Sequence, residues 1–195
     1  MSVGMNPEKV ARLNQVHGNA VCLAATGNQT GDALVTKEKN LPLAIGAADC
    51  YPILFHDPEN KIIGAAHAGW KGTLARISKN VILEMEKLGA ERKFIRAAIG
   101  PGISGKNYEV SGEIIEKFRE EGFPETCWEN RNLDLLAANK FVLEESGIIT
   151  QHTWALGRCT TEDDFFSYRR DKGKTGRMWA VIMLQGANHE SYEYC

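Results

Sequence analysis

The chain has 195 residues, 43% apolar and 25% charged, with a formal net charge of −2. That is ordinary globular composition, enough for one sizeable core, and the expectation is a single compact domain over residues 1–195. No excess of Lys and Arg is available to neutralise phosphates, and no apolar run approaches bilayer length, which argues against nucleic acid and membrane as partners and leaves small molecules.

The opening Met1-Ser2-Val3-Gly4-Met5-Asn6-Pro7-Glu8 lacks a basic stretch followed by an apolar one, so a cytoplasmic protein is expected. Five cysteines (Cys22, Cys50, Cys127, Cys159, Cys195) are scattered without a Cys-x-x-Cys pair, which favours reduced thiols over a disulfide framework. The expected assembly state is a monomer or weak homodimer.

Along the chain, Ala20 to Ala24 and Ala33 to Thr36 are short apolar segments. Leu41 to Ile45 and Tyr51 to Phe55 read as buried strands flanking a turn at Cys50. Lys61 to His67 carries small residues suited to a crowded central strand, with His67 at its mouth. Thr73 is a plausible N-cap, and Leu74, Ile77, Val81, Ile82, Met85 and Leu88 follow at helical spacing until Gly89. Phe94 to Ile99 reads as a strand, Ser111 to Glu121 as a helix, and Asn132 to Ser146 as a helix closed by Gly147. Ile148 to Ala155 and Arg177 to Leu184 complete the strands. Hairpin-like neighbours mixed with crossover helices predict an α+β fold of mixed β-sheets flanked by helices.

Three ligand-type residues lie in Gly- or Ala-rich contexts: His17 in Gln15-Val16-His17-Gly18, Cys50 in Ala48-Asp49-Cys50-Tyr51-Pro52, and His67 in Ala66-His67-Ala68-Gly69-Trp70-Lys71-Gly72. Two imidazoles and a thiolate leave one tetrahedral position open, the ligand count of a catalytic zinc site. The competing account is two satisfied core histidines and an inert buried thiol. Small neighbours favour convergence of the three. Asp49 beside Cys50 is a candidate hydrogen-bond or proton acceptor. Trp70 and Lys71 offer a stacking face and an anion contact, with plain core packing as the alternative for Trp70.

Gly100-Pro101-Gly102-Ile103-Ser104-Gly105-Lys106 matches the first seven positions of a phosphate-cradling loop and fails on the eighth. Asn107 replaces the hydroxyl residue, and Pro101 removes a backbone donor. Gly173-Lys174-Thr175 lacks the upstream glycine. The segment from Cys159 to Asp171 gathers acids, aromatics and the paired Arg169 and Arg170, followed by Thr175-Gly176-Arg177. Guanidinium forks bind phosphate or carboxylate, and a solvated loop with internal ion pairs is the rival account. Cys159 is a candidate nucleophile with no identifiable partner His. His56, His152 and His189 lack comparable context and read as structural or exposed.

The motifs Gln-Val-His-Gly, Ala-Asp-Cys-x-Pro, Ala-His-Ala-Gly-Trp-Lys-Gly, Ile-Gly-Pro-x-Ile with Tyr-Glu-Val, Leu-Asp-Leu with a downstream Asn, and Phe-x-Ser-Tyr-Arg-Arg with Thr-Gly-Arg resemble the laccase-domain proteins, from about Val3 to Leu184. These are named multicopper polyphenol oxidases in older usage and purine nucleoside phosphorylases with adenosine deaminase activity in newer usage. The resemblance implies a zinc ion on His17, Cys50 and His67 in an α+β fold similar to a bacterial deamidating toxin domain. It also implies phosphate-dependent cleavage of adenosine, inosine, guanosine and methylthioadenosine, and deamination of adenosine. Arg169, Arg170 and Lys71 are our candidate contacts for substrate or phosphate. Family members carry a longer region ahead of Gln-Val-His-Gly, so the expectation is that segments are omitted here or that this member is short.

Counting tests the older label. A multicopper centre needs an imidazole-rich cluster besides a mononuclear site, and five histidines cannot supply it once two are used. Copper at the trio would allow only weak oxidation. The His-x-Glu and Pro-Cys-x-x-Cys signature of nucleobase deaminases is also missing. The expected chemistry is a zinc-activated water for deamination, with Asp49 assisting proton transfer, and phosphate held by the cations for cleavage at the ribose. The rivals are a zinc amidase acting on cell-wall peptide precursors and a non-catalytic zinc closed by a fourth ligand such as Cys159.

Overall fold

The structure is a computed structural model that describes residues 7–186; His189 and Cys195 lie outside the described residues. The first strands in chain order are β1 (Ala11–Asn14), β2 (Val21–Leu23), β3 (Gly27–Thr30) and β4 (Ala33–Thr36). The central ones follow: β5 (Leu43–Ala47), β6 (Tyr51–Asp57) and β7 (Ile62–Ala68). Then come α1 (Trp70–Leu74), α2 (Ile77–Lys87), β8 (Arg96–Ile99), α3 (Gly112–Glu120), β9 (Trp128–Glu129), β10 (Asn132–Leu133), α4 (Leu135–Glu145), β11 (Thr153–Ala155) and β12 (Met178–Ile182).

A six-stranded sheet runs β11-β8-β6-β7-β4-β2, a four-stranded sheet runs β12-β5-β1-β3, and β9 and β10 form a small ribbon. Pairing is mixed. β6 is antiparallel to β7 and β8, whereas β2 and β4, β8 and β11, and β1 and β3 pair in parallel.

Side chains alternate across a strand, and this alternation creates two cores. On one face of the large sheet Ala33, Val35, Phe55 and Ala66 join the buried faces of α2, α3 and α4. On the other, Leu34, Ile63 and Ala65 meet Ala11, Leu43 and Ile45 of the smaller sheet. β7 is buried throughout, because it is covered on both sides; its small residues let the layers approach. A Cβ on Gly64 would stand 2.8 Å from Val81 of α2. The fold is thus α+β, with mixed sheets and helices on one side. Among the described residues no helix is long and apolar enough to cross a membrane.

Several boundaries differ from the sequence expectation. Thr73 is no N-cap: it is buried inside α1, its hydroxyl donating to Asn139 Oδ1 at 3.3 Å, and the helix breaks at Arg76, whose φ of 57° is left-handed. Gly89, with φ 108°, follows α2 as expected. The helix predicted from Asn132 begins at Leu135, because Asp134 caps it by accepting from Ala137 N at 2.9 Å, while Asn132 and Leu133 pair with Glu129 and Trp128. The strand predicted from Ile148 shortens to Thr153–Ala155 behind a 3-10 turn.

Candidate metal centre

β6 begins immediately after Cys50 and β7 ends one residue after His67, and the register pairs Pro52 with His67, so both ligands emerge at the same end of the large sheet. His17 arrives from the loop between β1 and β2 in a left-handed conformation, φ 59°. One atom from each of His17, Cys50 and His67 lies within 4.8 Å of the others. The two rings meet edge to face with centroids 4.8 Å apart.

Asp32, fully buried at the start of β4, holds this geometry. Its carboxylate accepts from the backbone N–H of Val16, His17 and Gly18 at 3.2, 2.9 and 2.7 Å, and from His67 Nδ1 at 3.0 Å. One side chain therefore folds the His17 loop and aims His67, leaving Nε2 of that ring free to face the other ligands. Burial opposes its ionisation, but the bonds from His67, Gly18 and His17 hold its carboxyl below the usual range. Sequence reading missed Asp32; the only signal was an acid after Gly31 at the edge of an apolar strand.

Gly69 is equally constrained. A Cβ there would stand 2.8 Å from Cys50 Sγ and 3.5 Å from the His17 ring. Although burial favours the thiol, hydrogen bonds to His17 and His67 bring Cys50 down to about 7. Burial likewise favours neutral His67, yet Asp32 and Cys50 raise it to about 9.

The donors fit a divalent metal. Tetrahedral bonds of about 2.0–2.3 Å place ligand atoms roughly 3.3–3.8 Å apart, within small side-chain rotations of the observed spread. The Asp32 carboxylate behind His67 is the usual support for a metal-bound imidazole, and imidazole with thiolate suits zinc or copper. Among the described residues no other cluster of three such groups occurs.

Around the trio the predicted residues separate. Asp49, φ 85°, binds a distant loop: it accepts from Thr160 Oγ1 at 2.6 Å, Ser167 Oγ at 2.8 Å and Arg169 N at 2.7 Å. It thereby fastens the 160–169 segment to the Cys50 turn. Arg169 lies 5.2 Å from the Tyr108 ring and gives one bond to Glu109 O at 3.0 Å; it forms no ion pair among the described residues. Tyr108 is half-buried beside Cys50. Burial and the Cys50 charge push its phenol up to about 12, against the opposing Arg169.

Arg170, the other candidate substrate contact of this pair, is engaged within its own loop. Its guanidinium pairs with Asp171 and donates to the carbonyls of Glu162 and Phe165, which consumes its donors inside the loop. Lys71 extends along Trp70, its Nζ 5.6 Å from the ring, while Trp70 packs against the main core. Cys159 Sγ is not among the clustered ligands; it bonds Ser104 N at 3.3 Å and Thr161 Oγ1 at 3.1 Å.

The Gly100–Asn107 stretch is no phosphate cradle. Gly100 N donates to Pro52 O at 2.9 Å, Gly102 lies against the Tyr51 ring, and Gly105–Asn107 is a 3-10 turn that opens no helix.

A profile of the family described as "Multi-copper polyphenol oxidoreductase laccase" matches residues 1–185. The chain is 51% identical over 187 residues to a protein of Deinococcus radiodurans named purine nucleoside phosphorylase, spanning 94% of this chain and 73% of that one. It is 37% identical over 171 residues to purine nucleoside phosphorylase YlmD of Bacillus subtilis, spanning 83% and 62%. Among solved structures, hypothetical protein YfiH of Bacillus licheniformis superimposes with a TM-score of 0.86 at 30% identity, over 93% of this chain and 76% of that one. YlmD of Geobacillus stearothermophilus gives 0.85 at 33% identity, over 92% and 74%.

Proposed function

This chain belongs to the multi-copper polyphenol oxidoreductase laccase family, and we propose that it is a zinc-dependent purine nucleoside phosphorylase. The observation that carries the reading is the convergence of His17, Cys50 and His67 with Arg169 and Tyr108 nearby, in a chain whose relatives bear that name. When bound on the trio, the metal supplies a Lewis acid.

The chain's own groups have distinct tasks. Arg169, stacked on Tyr108 and lacking a carboxylate partner among the described residues, binds the phosphate co-substrate through its fork of N–H donors. Asp49, next to Cys50, holds the backbone of Arg169 and so fixes the point from which that side chain leaves its loop. Tyr108 keeps its proton at neutral pH and offers an O–H beside Cys50 to a purine nitrogen. In phosphorolysis a phosphate oxygen bonds to ribose C1′, the bond from C1′ to the purine nitrogen breaks, and the purine leaves with a proton. Adenosine, inosine, guanosine and methylthioadenosine share that bond and are the proposed substrates. Hydrolytic deamination of adenosine is the proposed second activity of the same pocket.

Polyphenol oxidation by a coupled copper cluster finds no support among the described residues, where a single three-ligand group occurs. A closed structural zinc lacks a fourth protein ligand there, Cys159 being engaged with Ser104 and Thr161. The test is purine release from inosine by metal-loaded protein. Release that requires phosphate and is lost in Cys50→Ala supports the reading; phosphate-independent release, or full activity in Cys50→Ala, refutes it.

A further inference from the structure

The smaller sheet covers the large one over β4 and β7, with Leu54 of β6 and Ile182 at its margin. Beyond that margin the registers align Leu54, Ala98 and Trp154 in one cross-strand row and His56 with Arg96 in the next. All stand on the face opposite Phe55, Ala97 and Ile99, which enter the helix-side core. The result is a groove of about 480 Å³, lined also by Gln151, His152 and Ile182. That volume is within the range of small-molecule sites, about 300–1,000 Å³.

The groove has a defined chemical character. Leu54, Ala98 and Ile182 form an apolar floor, and the Trp154 indole stands 58% exposed above it. Arg96 is exposed and, unlike Arg76, Arg92, Arg119, Arg131, Arg158 and Arg170, forms no ion pair among the described residues. His152 Nδ1 is buried without a hydrogen-bond partner. Burial first, then the charge of Lys61 and, more weakly, that of Arg96, lower the basicity of His56 against the opposing charge of Asp57. An aromatic platform, an unpaired guanidinium and one orphaned imidazole nitrogen fit a ligand that is flat at one end and anionic at the other.

We propose that this groove is a second ligand site, taking a purine nucleoside monophosphate with its base on Trp154 and its phosphate on Arg96. Gln151 meets the polar edge of the base. His56 lies six residues beyond Cys50 along an extended strand, about 20 Å away at roughly 3.3 Å per residue. A ligand here is therefore separate from one at the metal centre, and the site stands whether or not that centre cleaves nucleosides.

The experiment titrates AMP into the full-length, metal-loaded protein, reading binding by calorimetry and by tryptophan fluorescence. The expected result is saturable binding that weakens at least tenfold in Arg96→Gln and in Trp154→Ala, and is unchanged in Cys50→Ala. In the Cys50→Ala protein, adenosine and inorganic phosphate alone each bind at least tenfold more weakly than AMP. The two groove substitutions are on different strands and remove exposed side chains, so each checks the other. The proposal is overturned if AMP does not bind, if Cys50→Ala alone abolishes binding, or if phosphate alone binds as tightly as AMP. It is also overturned if Trp154→Ala merely abolishes self-association of a protein that ignores AMP.

Discussion

Asp32 and the two neighbouring arginines show how far single residues can be separated by role. Asp32 touches both histidine-bearing segments, so Asp32→Ala removes the orienting acceptor from His67 and unpins the His17 loop while leaving all three ligands in the sequence. Loss of such a supporting acceptor costs about 10–100-fold in metal affinity; competition with a chromophoric chelator measures it, and unchanged affinity would contradict the role. Arg169 and Arg170 are adjacent in sequence and opposite in circumstance. Arg169→Gln raises the KM for phosphate with little change in thermal midpoint. Arg170→Gln lowers the midpoint, because it frees Asp171 and the 162–165 carbonyls, and leaves that KM near the wild-type value. Steady-state kinetics beside thermal unfolding distinguishes the two, and equal effects on KM would reject the assignment. The ligand trio was legible because His and Cys stand out among small residues; Asp32 was not, since one acid beside a strand looks like any turn residue.

At the level of elements, legibility followed burial. β5 and β7 are covered on both faces and read as continuous apolar runs, and β6 stays apolar from Tyr51 to Phe55 although Leu54 and His56 are only half-buried. β1 and β3 were invisible: Ala11-Arg12-Leu13-Asn14 and Gly27-Asn28-Gln29-Thr30 carry polar residues at positions the sheet leaves exposed, and β3 is an edge strand. The helix after β7 starts four residues earlier than its periodicity predicts, because its start at Trp70 has no side-chain cap and its break at Arg76 rests on tertiary contacts: Arg76 pairs with Glu145 at 2.9 Å and stacks 4.1 Å from the Phe123 ring.

The turn from β6 to β7 yields a test of its own. Asp57 accepts from Glu59 N, Asn60 N, Asn60 Nδ2 and Glu91 N. Burial opposes its charge, but these donors hold its carboxyl below the ordinary 3.8. A depressed folded value contributes stability that is present above 3.8 and lost as pH falls through the folded value. Asp57→Ala is expected to cost about 1–3 kcal/mol at pH 7, the range for stranding buried donors. In urea unfolding the gap to wild type should narrow below pH 3.8; a gap independent of pH would contradict the account.

For the whole molecule, three layers bring distant segments to one end of the large sheet. His17 precedes the first strand of that sheet, Cys50 and His67 bracket its central hairpin, and Asp49 ties in a loop more than a hundred residues later. Sequence alone could single out the three residues that the fold brings together and reject the Gly100 loop as a phosphate cradle, since both judgments rest on residue type and spacing. It could not order the two sheets or reveal the groove beyond β12, because those depend on which strand faces are left uncovered.

The most direct measurement is a cobalt(II) titration of metal-free protein followed by absorption spectroscopy. The account predicts one equivalent bound, a thiolate-to-cobalt charge-transfer band that disappears in Cys50→Ala, tetrahedral d–d bands, and a shift of those bands when phosphate or inosine enters the open position. Absence of the thiolate band in wild type, its persistence in Cys50→Ala, or bands indifferent to every added ligand would contradict a three-ligand metal centre with a vacant coordination position.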